Sequence, residues 1–88
     1  MTETNPTVDD YKLAVAGEIR AEIARSGTAL KAIQEELDVS EATLRRILKG
    51  ENDISAPKLF VLCHLFGVPM DELLGRAEAA AFKSANAQ

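Results

Sequence analysis

Three positively charged residues lie close together near the middle of the chain, at Arg45, Arg46 and Lys49. No acidic residue interrupts the segment from Thr43 to Gly50 that contains them. Guanidinium and ammonium groups bind phosphate oxygens, and an arginine can also donate two hydrogen bonds to the edge of a guanine base. The chemistry that this cluster could perform is therefore the recognition of a polyanion.

The chain as a whole is acidic, which argues at first against a polyanionic partner. Its 88 residues hold 10 Lys and Arg against 14 Asp and Glu, for a net charge of -4, whereas nucleic-acid-binding domains are often basic overall. In physiological salt, charges are screened over about 8 Å. Seven carboxylates lie outside the proposed contact segment and are mostly screened from it: Glu3, Asp9, Asp10, Glu18, Asp71, Glu72 and Glu78. We therefore expect local charge to decide the partner.

The adjacent Cys63 and His64 raise the possibility of metal binding or nucleophilic catalysis. Neighbouring residues on a helix point about 100° apart, and the sequence holds no other cysteine or histidine to complete a ligand set. A nucleophile would also need a positioned base and an orienting group. We therefore expect no catalytic residue, no metal site, no cofactor and no enzymatic activity. Cys63 is expected in the core and His64 near a surface or interface.

Length and composition favour one small folded domain. A chain of 88 residues builds one core, and 47% hydrophobic with 27% charged residues is typical of folded soluble proteins. The longest apolar run, Leu59 to Cys63, is far shorter than the roughly 20 residues that span a bilayer. The N-terminus is acidic, unlike a signal sequence. We expect a cytoplasmic protein without a membrane segment.

Turn residues recur at short intervals and separate segments whose apolar residues follow a helical period. The pattern predicts five helices and an all-α fold. The expected helices run from Val8 to Arg25, from the N-cap Thr28 to Leu37, from the N-cap Ser40 through Leu48, from about Ser55 to Phe66, and from Pro69 onward. Residues 1–7 are predicted to be a disordered leader, 8–75 the folded domain, and 76–88 a helical extension or frayed tail without order beyond about Lys83.

The second and third predicted helices are separated by only three residues, Asp38 to Ser40. Five apolar residues are expected to pack them together: Ile33, Leu37, Val39, Leu44 and Ile47. Two short helices joined in this way form a helix-turn-helix, which lets the exposed side of helix 3 enter a DNA major groove about 12 Å wide. This arrangement is typical of proteins that bind double-stranded DNA.

The helical period also predicts which residues of helix 3 face outward. The side opposite its apolar residues is centred on Ala42, Arg46 and Lys49. Glu41 lies four residues before Arg45, so these two can form an ordinary surface ion pair. The residues four positions from Arg46 are Ala42 and Gly50, so Arg46 has no helical counter-ion, and neither has Lys49. We expect Arg46 and Lys49 to be available to a ligand.

From about Gly17 to Leu74 the sequence resembles the Xre/Cro-like helix-turn-helix family of phage and bacterial repressors. The resemblance is closest in Leu37-Asp38-Val39-Ser40, Thr43-Leu44, Arg46-Ile47, Gly50, Leu59, Leu62 and the run from Phe66 to Leu74. It implies a five-helix, lambda-repressor-like DNA-binding domain that binds operator DNA as a homodimer. It further implies base contacts by Glu41, Ala42, Thr43 and Arg46. Phosphate contacts would fall to Thr28, Lys31, Ser40, Arg45, Lys49, Asn52 and Lys58.

Four positions depart from the pattern of that family. Asp38 replaces a glycine in the turn, and we expect it to adopt the left-handed conformation at some energetic cost. Gln34 replaces a small residue, and Leu30 replaces a glutamine and is expected to join the apolar side of helix 2. An arginine and glutamate pair of many members is replaced by Ile23 and Leu48, a change that should preserve the fold.

Helix 4 carries more apolar residues than one buried face needs. The excess either packs beneath helices 1 and 5 or supplies a two-fold interface, and we favour the dimer. Its predicted interface consists of Phe60, Val61, Leu65, Met70, Leu74 and Phe82. The sequence thus favours a sequence-specific DNA-binding transcription regulator of the repressor type. The alternative is a protein-interaction module, antitoxin-like or an adaptor domain, that binds a protein partner through helices 4 and 5 and the tail.

Overall fold

The computed structural model describes residues 3–87, and within them the chain forms five α-helices and no strand. The helices are α1 (Val8–Ser26), α2 (Leu30–Leu37), α3 (Glu41–Leu48), α4 (Ala56–Phe66) and α5 (Met70–Ala85). The all-α, five-helix prediction is therefore confirmed. The predicted leader and tail include Met1, Thr2 and Gln88, which lie outside the described residues. No helix in the described part is both long and apolar enough to cross a membrane.

Short polar side chains fix the starts of three helices. Thr7 and Asp10 form a reciprocal capping box at α1, with Thr7 Oγ1 accepting from the Asp10 amide at 3.2 Å. Ser40 caps α3, as predicted, by accepting from the amide of Thr43, and Ser55 caps α4 by accepting from the amide of Lys58. Such caps satisfy amides that lack partners within the helix.

The prediction that Thr28 caps helix 2 is wrong. The N-cap of α2 is Ala29, which offers no side-chain hydrogen bond. The hydroxyl of Thr28 lies 2.6 Å from that of Ser26, and the Thr28 amide donates to the same Ser26 oxygen. Because this local turn engages the threonine side chain, Thr28 is not free to cap the helix that follows.

One hydrophobic core joins all five helices. Its buried members are Ile19, Ile33, Leu37, Leu44, Leu59, Leu62, Cys63 and Leu73. Cys63 is buried and His64 is exposed, as predicted. Burial, and then the negative charge of Glu22, raise the pKa of the Cys63 thiol, while Arg76 acts in the opposite direction. The thiol is therefore held in its neutral form, as expected of a core cysteine.

The expectation that Leu30 joins the apolar side of α2 is wrong, since its side chain is 49% exposed. The helix is buried through Ile33 and Leu37, and Leu30 in the first turn is not among the residues packed on the core. At the family's charged-pair positions, Ile23 and Leu48 both pack against the core. Apolar packing thus occupies the place of that ion pair.

A buried carboxylate connects α1 to α5. Glu22 is 2% exposed, and one of its oxygens accepts from both Arg25 and Arg76 at 2.6 Å. Arg76 also donates to Glu18 at 3.1 Å and to Glu72 at 3.0 Å. The hydrogen bond to Glu18, together with the charges of Glu22 and Glu72, raises the pKa of Arg76 against the effect of desolvation. Arg76 therefore remains a permanent counter-ion for the buried charge.

The last helix runs back along the first. Arg76 contacts Glu18 and Glu22, whereas Asn86 exchanges hydrogen bonds with Thr4, at 2.8 and 3.0 Å. The residues of α5 that are buried after Leu73 are the small Ala77 and Ala81, and small side chains allow two helices to approach closely. The helix continues without a break to Ala85.

The turn between α2 and α3 depends on Asp38. This residue is left-handed, with φ 53° and ψ 52°, as predicted from its place in the turn. The Asp38 amide donates to Glu35 at 3.3 Å, and the next amide, that of Val39, donates to Gln34 at 3.1 Å. These bonds satisfy carbonyls at the end of α2 and reverse the chain direction. The half-buried Val39 then packs on the core.

Removing Arg76 should destabilise the fold. Arg76→Met leaves the buried Glu22 carboxylate with Arg25 alone, so thermal unfolding should show a loss of several degrees in Tm. The double variant Glu22→Leu with Arg76→Met should be more stable than the single variant, because it removes the buried charge as well. Lys83→Met, an exposed change on the same helix, is the control. Equal stability of Arg76→Met and Lys83→Met would contradict the proposed role of the ion cluster.

Replacing Asp38 by glycine should stabilise the protein. Glycine adopts positive φ without the steric cost that a side chain bears, so Asp38→Gly should raise the free energy of unfolding by about 0.5 kcal/mol, measured in urea. Ala32→Gly is the matched control, because it introduces the same residue at an exposed position inside α2 and should cost about 1 kcal/mol. A loss of stability in Asp38→Gly would show that its carboxylate contributes more than the strained backbone costs.

Candidate nucleic-acid interface

The third helix has one buried and one exposed face, at the positions that the helical period predicts. Leu44 and Ile47 are 2% and 4% exposed and fix α3 to the rest of the domain. Ala42, Arg46 and Lys49 lie on the opposite side and are exposed. Because the inner face is held in the core, the direction in which the outer side chains project is set by the fold.

The three cations of this region differ in their surroundings. Arg45 forms an ion pair with Glu41, in which both side chains are more than half exposed. Within residues 3–87, neither Arg46 nor Lys49 takes part in an ion pair or a side-chain hydrogen bond. Arg46 and Lys49 therefore present full positive charges that no neighbouring carboxylate neutralises.

The remaining predicted base-contacting residues lie in the first turn of α3. Glu41 is exposed and held by Arg45, and Ala42 is exposed. Thr43 is half-buried, and its hydroxyl accepts a 3.0 Å hydrogen bond from the Ser40 hydroxyl. The Ser40 hydroxyl therefore accepts from the Thr43 amide and donates to the Thr43 hydroxyl, and these two hydrogen bonds fix the start of the helix.

The other predicted phosphate-contacting residues lie at the starts of α2 and α4 and in the loop after α3. Lys31 is exposed in the first turn of α2, Asn52 is exposed in the loop, and Lys58 is half-buried in the first turn of α4. Thr28 is half-buried and engaged with Ser26. The amide of Asn52 bonds the Arg46 carbonyl at 3.3 Å, so the loop is attached to α3 itself.

The predicted dimer residues differ in exposure. Phe60, Val61 and Leu74 are 62%, 39% and 39% exposed. Leu65, Met70 and Phe82 are half-buried, and the first two of these pack against the core. Met70 and Leu74 also border an open apolar groove of about 350 Å³, which lies between α1, the loop after α3 and the starts of α4 and α5. Three of the six predicted interface residues are therefore large apolar side chains exposed to solvent.

Sequence reasoning missed two cations that contact the end of α3 and the loop after it. Arg20 donates to the carbonyl oxygen of Leu48, and Lys12 Nζ donates to that of Glu51 at 3.2 Å. Both residues belong to α1 and are separated from their acceptors by 28 and 39 positions. A backbone acceptor has no residue type of its own, so no sequence pattern could have indicated these contacts.

Within the described residues, no three His, Cys, Asp or Glu side chains are grouped so that they could hold a metal ion. The surface around α3 offers two projecting cations, a capped helix start and several polar side chains. Such groups bind phosphate and base edges by hydrogen bonds and charge.

Comparison with known proteins identifies the arrangement. A family model described as helix-turn-helix matches residues 19–73. Two similar solved structures are crystal structures of the clp gene regulator ClgR from Corynebacterium glutamicum. The first has a TM-score of 0.77 and 24% identity and covers 85% of this chain and 80% of that one. The second has a TM-score of 0.72 and 22% identity and covers 91% and 99%.

No curated protein sequence matches the chain. At these identities the two solved structures establish the fold alone, whereas the family model spans more than half of the chain, including the whole of α2, the turn and α3. The helix-turn-helix match does not favour the alternative of a protein-interaction module. The chain belongs to the Xre/Cro-like helix-turn-helix family of DNA-binding transcription regulators.

Proposed function

We propose that this protein binds specific double-stranded DNA sites by inserting α3 into the major groove, and that it represses transcription there. The observation that carries the proposal is the pair of unneutralised cations, Arg46 and Lys49, on the outer face of a helix whose inner face is buried. A major groove accommodates one α-helix, and its guanine edges accept two hydrogen bonds from an arginine. Arg46 is the proposed base-reading residue.

The proposed base contacts come from the first turns of α3 and the phosphate contacts from residues around it. Glu41, Ala42 and Thr43 lie near bases beside Arg46. The phosphate contacts are assigned to Thr28, Lys31, Ser40, Arg45, Lys49, Asn52 and Lys58. Arg45 must leave Glu41 to bind phosphate, so its net contribution is smaller than that of Lys49, which has no ion pair in the described residues.

The acidic composition does not prevent this function. The Glu18, Glu22 and Glu72 carboxylates are each paired with Arg25 or Arg76, so these three of the 14 acidic residues already have counter-ions within the fold. Binding of phosphates releases counterions from DNA, and this gain depends on the cations in contact rather than on net charge. A steep dependence of affinity on salt is therefore expected.

The proposal extends to regulation and location. Two structures that resemble this one are of a clp gene regulator, which supports a role in controlling transcription. A repressor acts where the chromosome is, so the protein is assigned to the cytoplasm. Residues 8–75 form the DNA-binding domain and residues 76–88 its extension.

The active form is proposed to be a homodimer. Its interface is assigned to Phe60, Val61, Leu65, Met70, Leu74 and Phe82. Exposure of the large apolar side chains of Phe60, Val61 and Leu74 supports this assignment. A two-fold axis would place the two copies of α3 about 34 Å apart, one turn of DNA, and the target would then be palindromic.

Substitution of Arg46 and of Lys49 should have different effects on DNA binding. Arg46→Ala should weaken binding to a site selected from random duplexes by about 1 to 3 kcal/mol and relax its specificity at one base pair. Lys49→Ala should weaken binding to all sequences alike and reduce the salt dependence by about one ion. Fluorescence anisotropy over a range of salt concentrations measures both quantities.

Lys83→Ala removes a charge of the same sign from an exposed position on α5 and is the control for these variants. Its affinity should equal that of the wild type. The proposed roles would be refuted if Arg46→Ala and Lys49→Ala lost equal affinity for selected and random DNA. Affinity of the wild type that does not change with salt would refute DNA binding as the function.

A charge placed in the proposed interface should dissociate the dimer. Phe60→Glu is expected to convert the protein to a monomer in sedimentation experiments, because a carboxylate buried against an apolar partner surface is unfavourable. Ala24→Glu introduces the same side chain at an exposed position on α1 and should leave the dimer intact. A wild-type protein that sediments as a monomer at micromolar concentration, free and on DNA, would rule the homodimer out.

A further inference from the structure

The last four carbonyl groups of α3 are all hydrogen-bonded, but not all by the local backbone. A helix leaves its last four carbonyls without intrahelical partners. Those of Arg45, Arg46 and Ile47 accept from the amides that follow, at 3.1, 2.9 and 3.1 Å, and the Arg46 oxygen takes a second bond from Asn52. The carbonyl of Leu48 accepts from the Arg20 guanidinium of α1. The end of the helix is thus completed by a different helix.

Two further contacts from α1 follow directly along the chain. Gly50 has φ +77°, and a Cβ placed there would lie 2.8 Å from Leu13 Cδ2 and 3.2 Å from Leu13 Cα, so the loop backbone passes against α1. The next carbonyl, that of Glu51, accepts from Lys12 Nζ at 3.2 Å. Leu48, Gly50 and Glu51 are therefore each held by α1.

All three contacts come from residues of α1. Leu13 and Arg20 are seven residues apart, which places them on nearly the same side of the helix, and Lys12 lies next to Leu13. Arg20 and Lys12 form no ion pair within residues 3–87, although many carboxylates are available in the chain. Both cations are instead directed at carbonyls near a helix C-terminus, where the helix dipole favours positive charge.

The residues between these attachment points are those assigned to phosphate. Lys49 lies between Leu48, whose carbonyl Arg20 holds, and Gly50, which packs on Leu13. Asn52 follows Glu51, whose carbonyl Lys12 holds. With the backbone fixed on both sides of Lys49, the direction of its side chain loses freedom before any DNA is bound. Such pre-organisation increases affinity because less order must be created on binding.

We propose that Arg20 is a positioning residue for DNA binding: from α1, with Lys12 and Leu13, it holds the end of α3 and the loop after it, and so orients Lys49 and Asn52 toward phosphate. This inference rests on the proposed function. It assigns Arg20 no contact with DNA of its own. The three α1 residues are called the α1 clamp below.

The first measurement uses the protein without DNA. Arg20→Met removes the guanidinium and keeps a long side chain. Because Arg20 is exposed, the variant protein should fold like the wild type. Hydrogen exchange at the amides of Gly50, Glu51 and Asn52 should accelerate about tenfold, since loss of a hydrogen bond to a charged donor permits local opening. Amides in the middle of α5 should be unchanged. Arg20→Lys, which retains one charged donor, should recover part of the protection.

The second measurement tests the consequence for DNA. With a site selected by the wild-type protein, Arg20→Met should weaken affinity about tenfold at every salt concentration, leaving the salt dependence as it was. Arg20→Lys should recover part of this affinity. Lys83→Met, which removes an exposed charge far along α5, should change neither exchange nor affinity. Lys12→Met is a second clamp variant and should accelerate exchange at the amides of Glu51 and Asn52.

The outcomes separate the clamp from the function on which it rests. Unchanged exchange in both Arg20→Met and Lys12→Met overturns the clamp, whether or not the protein binds DNA. Accelerated exchange with unchanged affinity overturns the positioning role. A salt dependence lowered by about one ion in Arg20→Met overturns it in favour of direct phosphate contact. Failure of the wild type to bind any duplex refutes the proposed function, and exchange still decides whether α1 holds the loop.

Discussion

The structure depends on the burial of Leu44 and Ile47 in the inner face of α3. This helix has eight residues, and isolated helices shorter than about 12 residues are marginal in water. It therefore exists because its neighbours bury it, and its outer face points where that burial directs it. The cap from Ser40, the left-handed Asp38 and the contacts of Arg20 all act at the two ends of this element. The surface offered to DNA is a consequence of core packing.

The first helix organises the rest of the molecule. Its inner side joins the core through Ile19, its Glu22 carboxylate is bound to Arg76 of α5, and its Arg20 side chain reaches the end of α3. Paired and unpaired charges therefore lie in different parts of the fold. Glu18, Glu22 and Glu72 pair with arginines between α1 and α5, whereas Arg46 in α3 and Lys49 just after it form no ion pair within residues 3–87. A net charge averages over these two environments and conceals both.

The sequence allowed the five helices, the tight turn and the two faces of α3 to be predicted, because caps, turns and helical period are local properties. The predictions failed for two residues near the start of α2: Thr28 bonds Ser26 instead of capping the helix, and Leu30 stays exposed. The sequence also offered no indication of the pair between Glu22 and Arg76, which are 54 positions apart. Neither the partner of a buried charge nor a carbonyl acceptor can be deduced before the helices are assembled in space.

The close contact between Gly50 and Leu13 constrains how this protein can evolve. Position 50 excludes side chains twice, through its positive φ and through the leucine that lies against it. A smaller residue at position 13 would remove the contact with the leucine side chain, but a Cβ at position 50 would still lie 3.2 Å from the Cα of residue 13, and the backbone would keep its positive φ. A mutation away from glycine at position 50 therefore has no single compensating change at position 13.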